Sequence, residues 1–249
     1  MPRSHAATRL HPRKDGKPVA DVTNYPLVTL PEHLAYLANQ GAIELHVPTS
    51  RITSYSNGVG APDRIVLDLD PPEGETELVR RAALLTRDAL SALGLASVAV
   101  ATGSKGYHVI APVLPSADGE ALFVALHKIS ALLAHHHPDT MTLAFRVNNR
   151  GRKVFVDWLR NAPGSTIVAP YSLRARPRAT VAVPLTWEEL ATTAPDAFTI
   201  DDVARLLDRA DPLADAAAAP GDAKAFVDAA DAAFEREGLV LEKFDRFRS

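Results

Sequence analysis

The sequence predicts an α/β fold, or more loosely a mixed α+β one, built on a mixed sheet, and three observations carry this. Short apolar, strand-like runs recur at 64–70, 96–101, 107–112 and 153–158. Two long amphipathic segments, 76–93 and 119–136, have the helical period. The runs at 96–101 and 107–112 are joined only by Thr102-Gly-Ser-Lys-Gly106, too short for a crossover helix, so they return on each other as a hairpin instead of alternating regularly with helices.

The chain of 249 residues is 47% hydrophobic, enough for a real core in one large domain or two small ones. No internal repeat divides it, and 1–249 is read as a single catalytic-size domain. It has no cysteine, which excludes disulfides, thiolate metal sites and cysteine nucleophiles and makes a reducing compartment the default. No apolar run approaches the roughly 20 residues that span a bilayer, and residues 1–17 lack the apolar centre of a signal peptide. The expectation is a soluble, cytoplasmic protein with no membrane partner. Net charge is −3, yet residues 141–180 hold eight Arg or Lys against the single acid Asp157. Such a segment either binds phosphate or is a solvated face with counter-charges elsewhere.

Taken in order, residues 1–26 carry prolines, histidines and scattered bases without periodicity and are read as irregular. Leu30-Pro-Glu-His-Leu-Ala-Tyr-Leu-Ala-Asn-Gln-Gly41 is a short helix, with Pro31 in its first turn and Gly41 at its stop. A strand over 42–47 ends near His46, and 48–62 is a loop. In Arg64-Ile-Val-Leu-Asp-Leu-Asp-Pro-Pro72 the side chains alternate: Ile65, Leu67 and Leu69 face a core, while Val66, Asp68 and Asp70 share the other side. On the helix over 76–93, Leu78, Ala82, Leu85, Ala89 and Leu93 keep near one face, and Gly94 closes it. The helix over 119–136 ends in His135-His-His137; those histidines suit a helix carboxyl terminus better than a zinc site, for which further ligands at standard spacing are missing. A strand over 153–158 carries Asp157, and 166–169 forms another. The remainder, 186–249, is a helical C-terminal part: Thr186-Trp-Glu-Glu189 is a capping box, and helices cover 199–209 and 223–237.

Three groups of residues carry chemistry. Asp68 and Asp70 lie on one side of a strand that Pro71 and Pro72 terminate, and two such carboxylates repel unless a cation lies between them. Asp157, on another strand, can complete a site for one or two hard divalent ions; acids at strand ends also serve as turn formers or caps. In Thr102-Gly-Ser-Lys-Gly-Tyr-His108, Gly103 and Gly106 allow close backbone approach to an anion, Lys105 adds charge, and Thr102 and His108 add donors. The Walker spacing is absent, and a tight hairpin with a solvated lysine has the same composition. In Pro170-Tyr-Ser-Leu-Arg-Ala-Arg-Pro177, Arg174 and Arg176 share a side of an extended segment and suit either a triphosphate tail or a surface ion pair.

Gly-Ala-Ile-Glu-Leu-His-Val at 41–47, Pro-Asp-Arg-Ile-Val-Leu-Asp-Leu-Asp-Pro at 62–71, the 102–108 loop, Val-Phe-Val-Asp-Trp-Leu-Arg-Asn at 154–161 and Ala-Pro-Tyr-Ser-Leu-Arg-Ala-Arg-Pro at 169–177 together resemble the polymerase domain of the bacterial DNA ligase D family, in the archaeo-eukaryotic primase superfamily. The resemblance runs from about residue 25 to about residue 190. It implies a primase-like catalytic core with an RRM-like sheet, and template-guided nucleotidyl transfer with Mn²⁺ (or Mg²⁺) at DNA ends or gaps in non-homologous end joining, ribonucleotides often favoured. It implies metal and catalytic roles for Asp68, Asp70 and Asp157, and nucleotide-phosphate roles for Thr102, Lys105 and His108, with Gly103 and Ser104 in the same loop. Arg174 matches a triphosphate-contacting arginine, His46 an active-site histidine and Arg150 a DNA-contacting position; a role for Arg176 rests on its spacing. Partners so implied are DNA ends or gapped duplex, nucleoside triphosphates, Ku and a DNA ligase, in the bacterial nucleoid. The family's usual serine is Thr102 here, and its hydroxyl survives. The family's N-terminal segment is longer, so 1–26 is expected to be an irregular remnant of it. A non-catalytic module that binds DNA ends or nucleotides and recruits Ku or a ligase is the alternative.

Overall fold

The computed structural model describes residues 3–12, 18–52 and 59–241. In chain order the elements are β1 (Arg3–Pro12), β2 (Pro18–Leu27), α1 (Pro31–Asn39), β3 (His46–Val47), β4 (Ser50–Ile52), β5 (Val59–Pro62) and β6 (Arg64–Asp70). Then come α2 (Thr76–Ala92), β7 (Val98–Ala101), β8 (Tyr107–Leu114), α3 (Gly119–His136), β9 (Met141–Thr142), β10 (Val154–Asp157) and β11 (Ile167–Val168). The chain continues through β12 (Val183–Leu185), α4 (Trp187–Leu190), α5 (Val203–Leu207), α6 (Pro212–Ala217), β13 (Gly221–Asp222) and α7 (Ala223–Arg236). Among the described residues, no helix is long and apolar enough to cross a membrane.

The central sheet has the strand order β12-β7-β8-β6-β10-β9, with β13 added beside β8. It is mixed: β6, β7, β8, β10 and β12 pair antiparallel, whereas β9 joins β10 and β13 joins β8 in parallel. The alternation along β6 divides the molecule. Ile65, Leu67 and Leu69 pack with Val79 and Leu90 of α2, Leu126 and Ile129 of α3, and Phe226 and Phe234 of α7. Each such side chain, fully buried, contributes about 1.5–3 kcal/mol. On the opposite face Val66, Val100 and Ile110 meet Ile167, Val168 and Ala182 in a smaller apolar layer. The chemistry lies on that second face.

Local signals explain most boundaries. Asp118 caps α3 by accepting from the amides of Glu120 and Ala121 at 2.8 and 3.0 Å. His135 and His136 close the same helix as expected; His136 Nε2 meets Glu237 Oε1 at 3.3 Å, and all three side chains are exposed. The capping box at Thr186 and Glu189 is present.

Several expectations need correction. In place of the irregular stretch expected over residues 1–26, Arg3–Pro12 and Pro18–Leu27 pair as an antiparallel hairpin of two ten-residue strands; Asp15-Gly16, a turn dipeptide, lies between the strands in sequence and outside the described residues. The 48–62 loop contains β4 and β5, paired with a register shift. Helix α2 buries Val79, Ala82, Ala83, Thr86 and Leu90, a face rotated from the leucine stripe, so that Leu78, Leu85, Ala89 and Leu93 pack only partly. Small alanines let the helix lie close to the sheet, and Thr86 satisfies its hydroxyl on the Ala82 carbonyl at 2.8 Å. The helix over 199–209 is a 3₁₀ turn at Ile200–Asp202 followed by short α5, and α6 adds a helix capped by Asp211.

Candidate active site

Backbone register brings the acids together. Strand β10 runs antiparallel to β6 with Asp157 opposite Asp68 and Phe155 opposite Asp70. Strand β8 flanks β6 on its other side with His108 opposite Asp68. Directly opposed residues project to the same face at about 4.5–5.5 Å between Cβ atoms. Asp68 therefore stands between an acid and a histidine.

The electrostatics follow from that crowding. Asp157 is 8% exposed. Burial first, and the facing Asp68 second, push its pKa up to about 6, against the opposing pull of Arg160 and a hydrogen bond from the Leu159 amide. Arg160 Nε lies 3.3 Å from Asp68 and 3.2 Å from Asp157. Asp70 is drawn the other way, to Lys105 Nζ at 2.9 Å and Arg150 Nη1 at 2.5 Å. His108 is buried, which holds its imidazole in the neutral form in spite of Asp68, whose carboxylate lies 3.6 Å from Nε2. Its Nδ1 is buried and has no hydrogen-bond partner among the described residues.

The 102–106 loop is a close-packed turn. The Thr102 hydroxyl donates to the Gly106 carbonyl at 2.6 Å, and Thr180 Oγ1 donates to the Gly103 carbonyl at 2.5 Å. A Cβ on Gly106 would come 2.1 Å from the Leu69 carbonyl oxygen, and one on Gly103, at φ +67°, would come 2.7 Å from Arg174 Cγ. The glycines are thus required by the approach of the loop to β6 and to Arg174. Thr102, whose hydroxyl serves the turn, is 5% exposed.

The arginines do not lie along an extended segment. Residues 174–179 turn, with Arg174 N bonded to the Thr180 carbonyl and Arg176 N to the Arg174 carbonyl. The turn still delivers both to the loop: Arg174 Nη1 donates to the Thr102 carbonyl at 2.6 Å, and Arg176 Nη2 donates to Ser104 Oγ at 2.9 Å. His46 enters from the side because β3 pairs with β11. Asp68, Asp70, His46, Thr102, Ser104, Lys105, His108 and Arg174 line one pocket of about 170 Å³, together with Arg160. Gly103 belongs to the same loop, and Arg176 reaches it from outside.

Arg150 lies at the edge of the acids with a 13% exposed side chain. It donates to the carbonyls of Ala144 and Phe145 and sits 4.2 Å from the ring centroid of Phe155. It therefore ties the loop before β10, where Phe145 and Val147 are exposed, to the site.

Sequence reasoning missed three residues. Arg160 is three positions after Asp157, within one turn of the 3₁₀ segment Leu159–Asn161. Asn161 acts as a one-residue strand: its side chain accepts from the Val66 amide at 2.9 Å and donates to the Val66 carbonyl at 2.6 Å. Glu44 lies two residues before His46, a spacing that could have flagged it.

Side chains of this type fit a hard divalent cation: carboxylate oxygens on facing strands, one of them at a raised pKa through burial first and the facing carboxylate second, and a buried His108 with a ring nitrogen that has no hydrogen-bond partner among the described residues.

Comparison with known proteins bears on what the site belongs to. Residues 3–213 match the family described as LigD, primase-polymerase domain. The multifunctional non-homologous end joining DNA repair protein LigD of Mycobacterium tuberculosis H37Rv is 36% identical over 186 residues, 73% of this chain and 24% of that protein. The bifunctional non-homologous end joining protein LigD of Bacillus subtilis is 35% identical over 176 residues, 68% of this chain and 28% of that protein. The chain thus spans about a quarter of the length of these relatives. The polymerase domain of Mycobacterium tuberculosis ligase D, solved in complex with DNA, superposes with a TM-score of 0.75 at 33% identity, covering 88% of this chain and 76% of that one. The mixed sheet with acids on its open face is therefore an archaeo-eukaryotic primase-like core, and the chain belongs to the LigD primase-polymerase domain family.

Proposed function

We propose that this chain is a template-guided nucleotidyltransferase that adds nucleotides at DNA ends or gaps in non-homologous end joining. The observation that carries the reading is the register that sets Asp68 opposite both Asp157 and His108, with Asp68 and His108 lining the same pocket as Lys105 and Arg174. The relatives named for end joining, and the neighbour bound to DNA, support the same reading.

Asp68 and Asp157, with Asp70 beside them, would hold Mn²⁺ or Mg²⁺. Such an ion, when bound, supplies Lewis acidity toward a hydroxyl nucleophile and a phosphate leaving group. The rest is done by the chain. The Gly103–Gly106 turn allows an anion to approach the backbone. Lys105 and Arg174 offset phosphate charge, and Arg176 holds Ser104 at the tip of the loop. His108, kept neutral by burial, offers one ring nitrogen as a hydrogen-bonding group. Fixing the triphosphate this way aligns it for in-line attack by a primer 3′-hydroxyl. Ribonucleotides are the favoured substrates in this reading, with Ku and a ligase as partners in trans. The basic segment 141–180 supplies the DNA-facing charge, Arg150 ordering its exposed Phe145 loop.

The test is extension of a labelled primer on a gapped template with a 5′-phosphate, with Mn²⁺ and either ribo- or deoxyribonucleotides. Asp68→Ala is expected to abolish extension, by at least about 10³-fold, with an unchanged circular dichroism spectrum. Extension by Asp68→Ala at the parent rate would overturn the assignment.

A further inference from the structure

Glu44 touches two nucleotide-site residues that come from outside the central sheet, His46 and Arg174. Its Oε1 accepts from His46 Nε2 at 3.0 Å. Its Oε2 accepts from the Ala175 amide at 2.9 Å and lies 3.3 Å from Arg174 Nε. The backbone around it is pinned as well. The Leu45 amide donates to Ser172 Oγ at 2.7 Å, and the Ala169 amide donates to the Leu45 carbonyl at 2.9 Å. These contacts cross from residues 44–47 to residues 167–175, two segments that otherwise meet through the short pair β3 and β11.

We infer that Glu44 is a positioning residue for nucleotide binding: one carboxylate fixes the ring of His46 with one oxygen and the turn bearing Arg174 with the other. The role rests on the nucleotidyltransferase reading above. Donor arithmetic supports it. Arg174 carries five N–H donors; the Thr102 carbonyl takes one from Nη1, Nε lies in ion-pair range of Glu44 without a hydrogen bond among the described residues, and the remaining Nη donors are left for the pocket that Arg174 lines. With Nε2–H committed to Glu44, the His46 ring can rotate little, and its tautomer is set by that bond. The carboxylate stays charged throughout the working range: the hydrogen bond with His46 is the largest cause, burial opposes it as the second, the Ala175 amide and Arg174 add to the lowering, and its pKa falls to about 2. Its side chain is 25% exposed and Arg174's is 14%, so Glu44 braces from behind an arginine that itself lines the pocket. Without it, the arginine turn would keep its own backbone bonds, but its guanidinium and the imidazole would lose their common reference.

The test compares the unsubstituted chain, Glu44→Ala, Glu44→Gln and Arg174→Ala, each alone, and Glu44→Ala combined with Arg174→Ala. The readouts are primer extension at varied nucleotide concentration with Mn²⁺, and long-range ¹H–¹⁵N spectra of the His46 ring. Glu44→Ala is expected to raise the nucleotide KM about tenfold or more with a smaller change in kcat, and to shift the His46 ring nitrogens toward a mixture of tautomers. Glu44→Gln, which keeps an acceptor, is expected to recover part of the KM. In the Arg174→Ala background the further loss from Glu44→Ala is expected to be several-fold smaller. A Glu44→Ala protein with parent KM and an unshifted His46 spectrum would overturn the role while leaving the enzymatic reading intact. An unsubstituted chain that neither binds Mn²⁺–nucleotide by calorimetry nor extends a primer would overturn that reading and this role with it.

Discussion

Trp158 is flanked by two groups that burial drives toward their neutral forms. Before it comes Asp157, raised to about 6; against it, at a centroid distance of 4.1 Å and an interplanar angle of 6°, stacks His127, lowered to about 4. The cause is the same for both: a poorly hydrated site penalises either sign of charge. For His127, 8% exposed, the consequence for stability has a definite sign. The unfolded chain binds a proton near pH 6.5 and the folded chain only near 4, so the stabilisation is complete above 6.5 and is lost as pH falls through that window. The expected loss between pH 7 and pH 4.5 is on the order of 2 kcal/mol, measurable by urea unfolding. His127→Phe, which keeps a ring on Trp158 and does not titrate, should show a flatter dependence; an equal slope in both proteins would assign the effect to other groups.

At the level of elements, the loop between β7 and β8 is the most demanding joint. Gly106 is needed for space, since a methyl group there would run into the backbone of β6 at Leu69. Gly106→Ala is expected to destabilise by about 1–3 kcal/mol and to weaken nucleotide binding together with stability. Thermal unfolding and calorimetry on one preparation check both; parent-like values in each would mean that the loop yields without cost. Elements also show how far the sequence could be read. The acids of β6 and β10, the glycine loop and the ends of α3 carried local marks: alternation, turn residues and an Asp cap. The hairpin of β1 and β2 carried only the Asp15-Gly16 dipeptide, without an alternating apolar pattern in the sequence on either side. The buried face of α2 was misread because Ala82, Ala83 and Thr86 make the contact and the larger leucines stay at its margin. Glu44 with Ala175 and Asn161 with Val66 join positions 131 and 95 residues apart, and no periodicity signals a partnership at such range.

For the molecule as a whole, the family match ends at residue 213, while α7 beyond it fills the core with Phe226, fully buried, and Phe234. Lys128 of α3 reaches Asp231 of α7 at 2.9 Å. Phe226→Ala is expected to cost about 3–5 kcal/mol, read from denaturant midpoints. A cost below 1 kcal/mol would show that α7 is an appendage. The pairing of β10 with β6 bears on how such damage would look. A slip of one residue between these strands would not move Asp157 slightly away from Asp68; it would turn the carboxylate through the sheet to the helix side. Competence is thus quantised molecule by molecule. A partly misfolded preparation should hold fewer working enzymes, each turning over at the full rate, and active-site titration would count them.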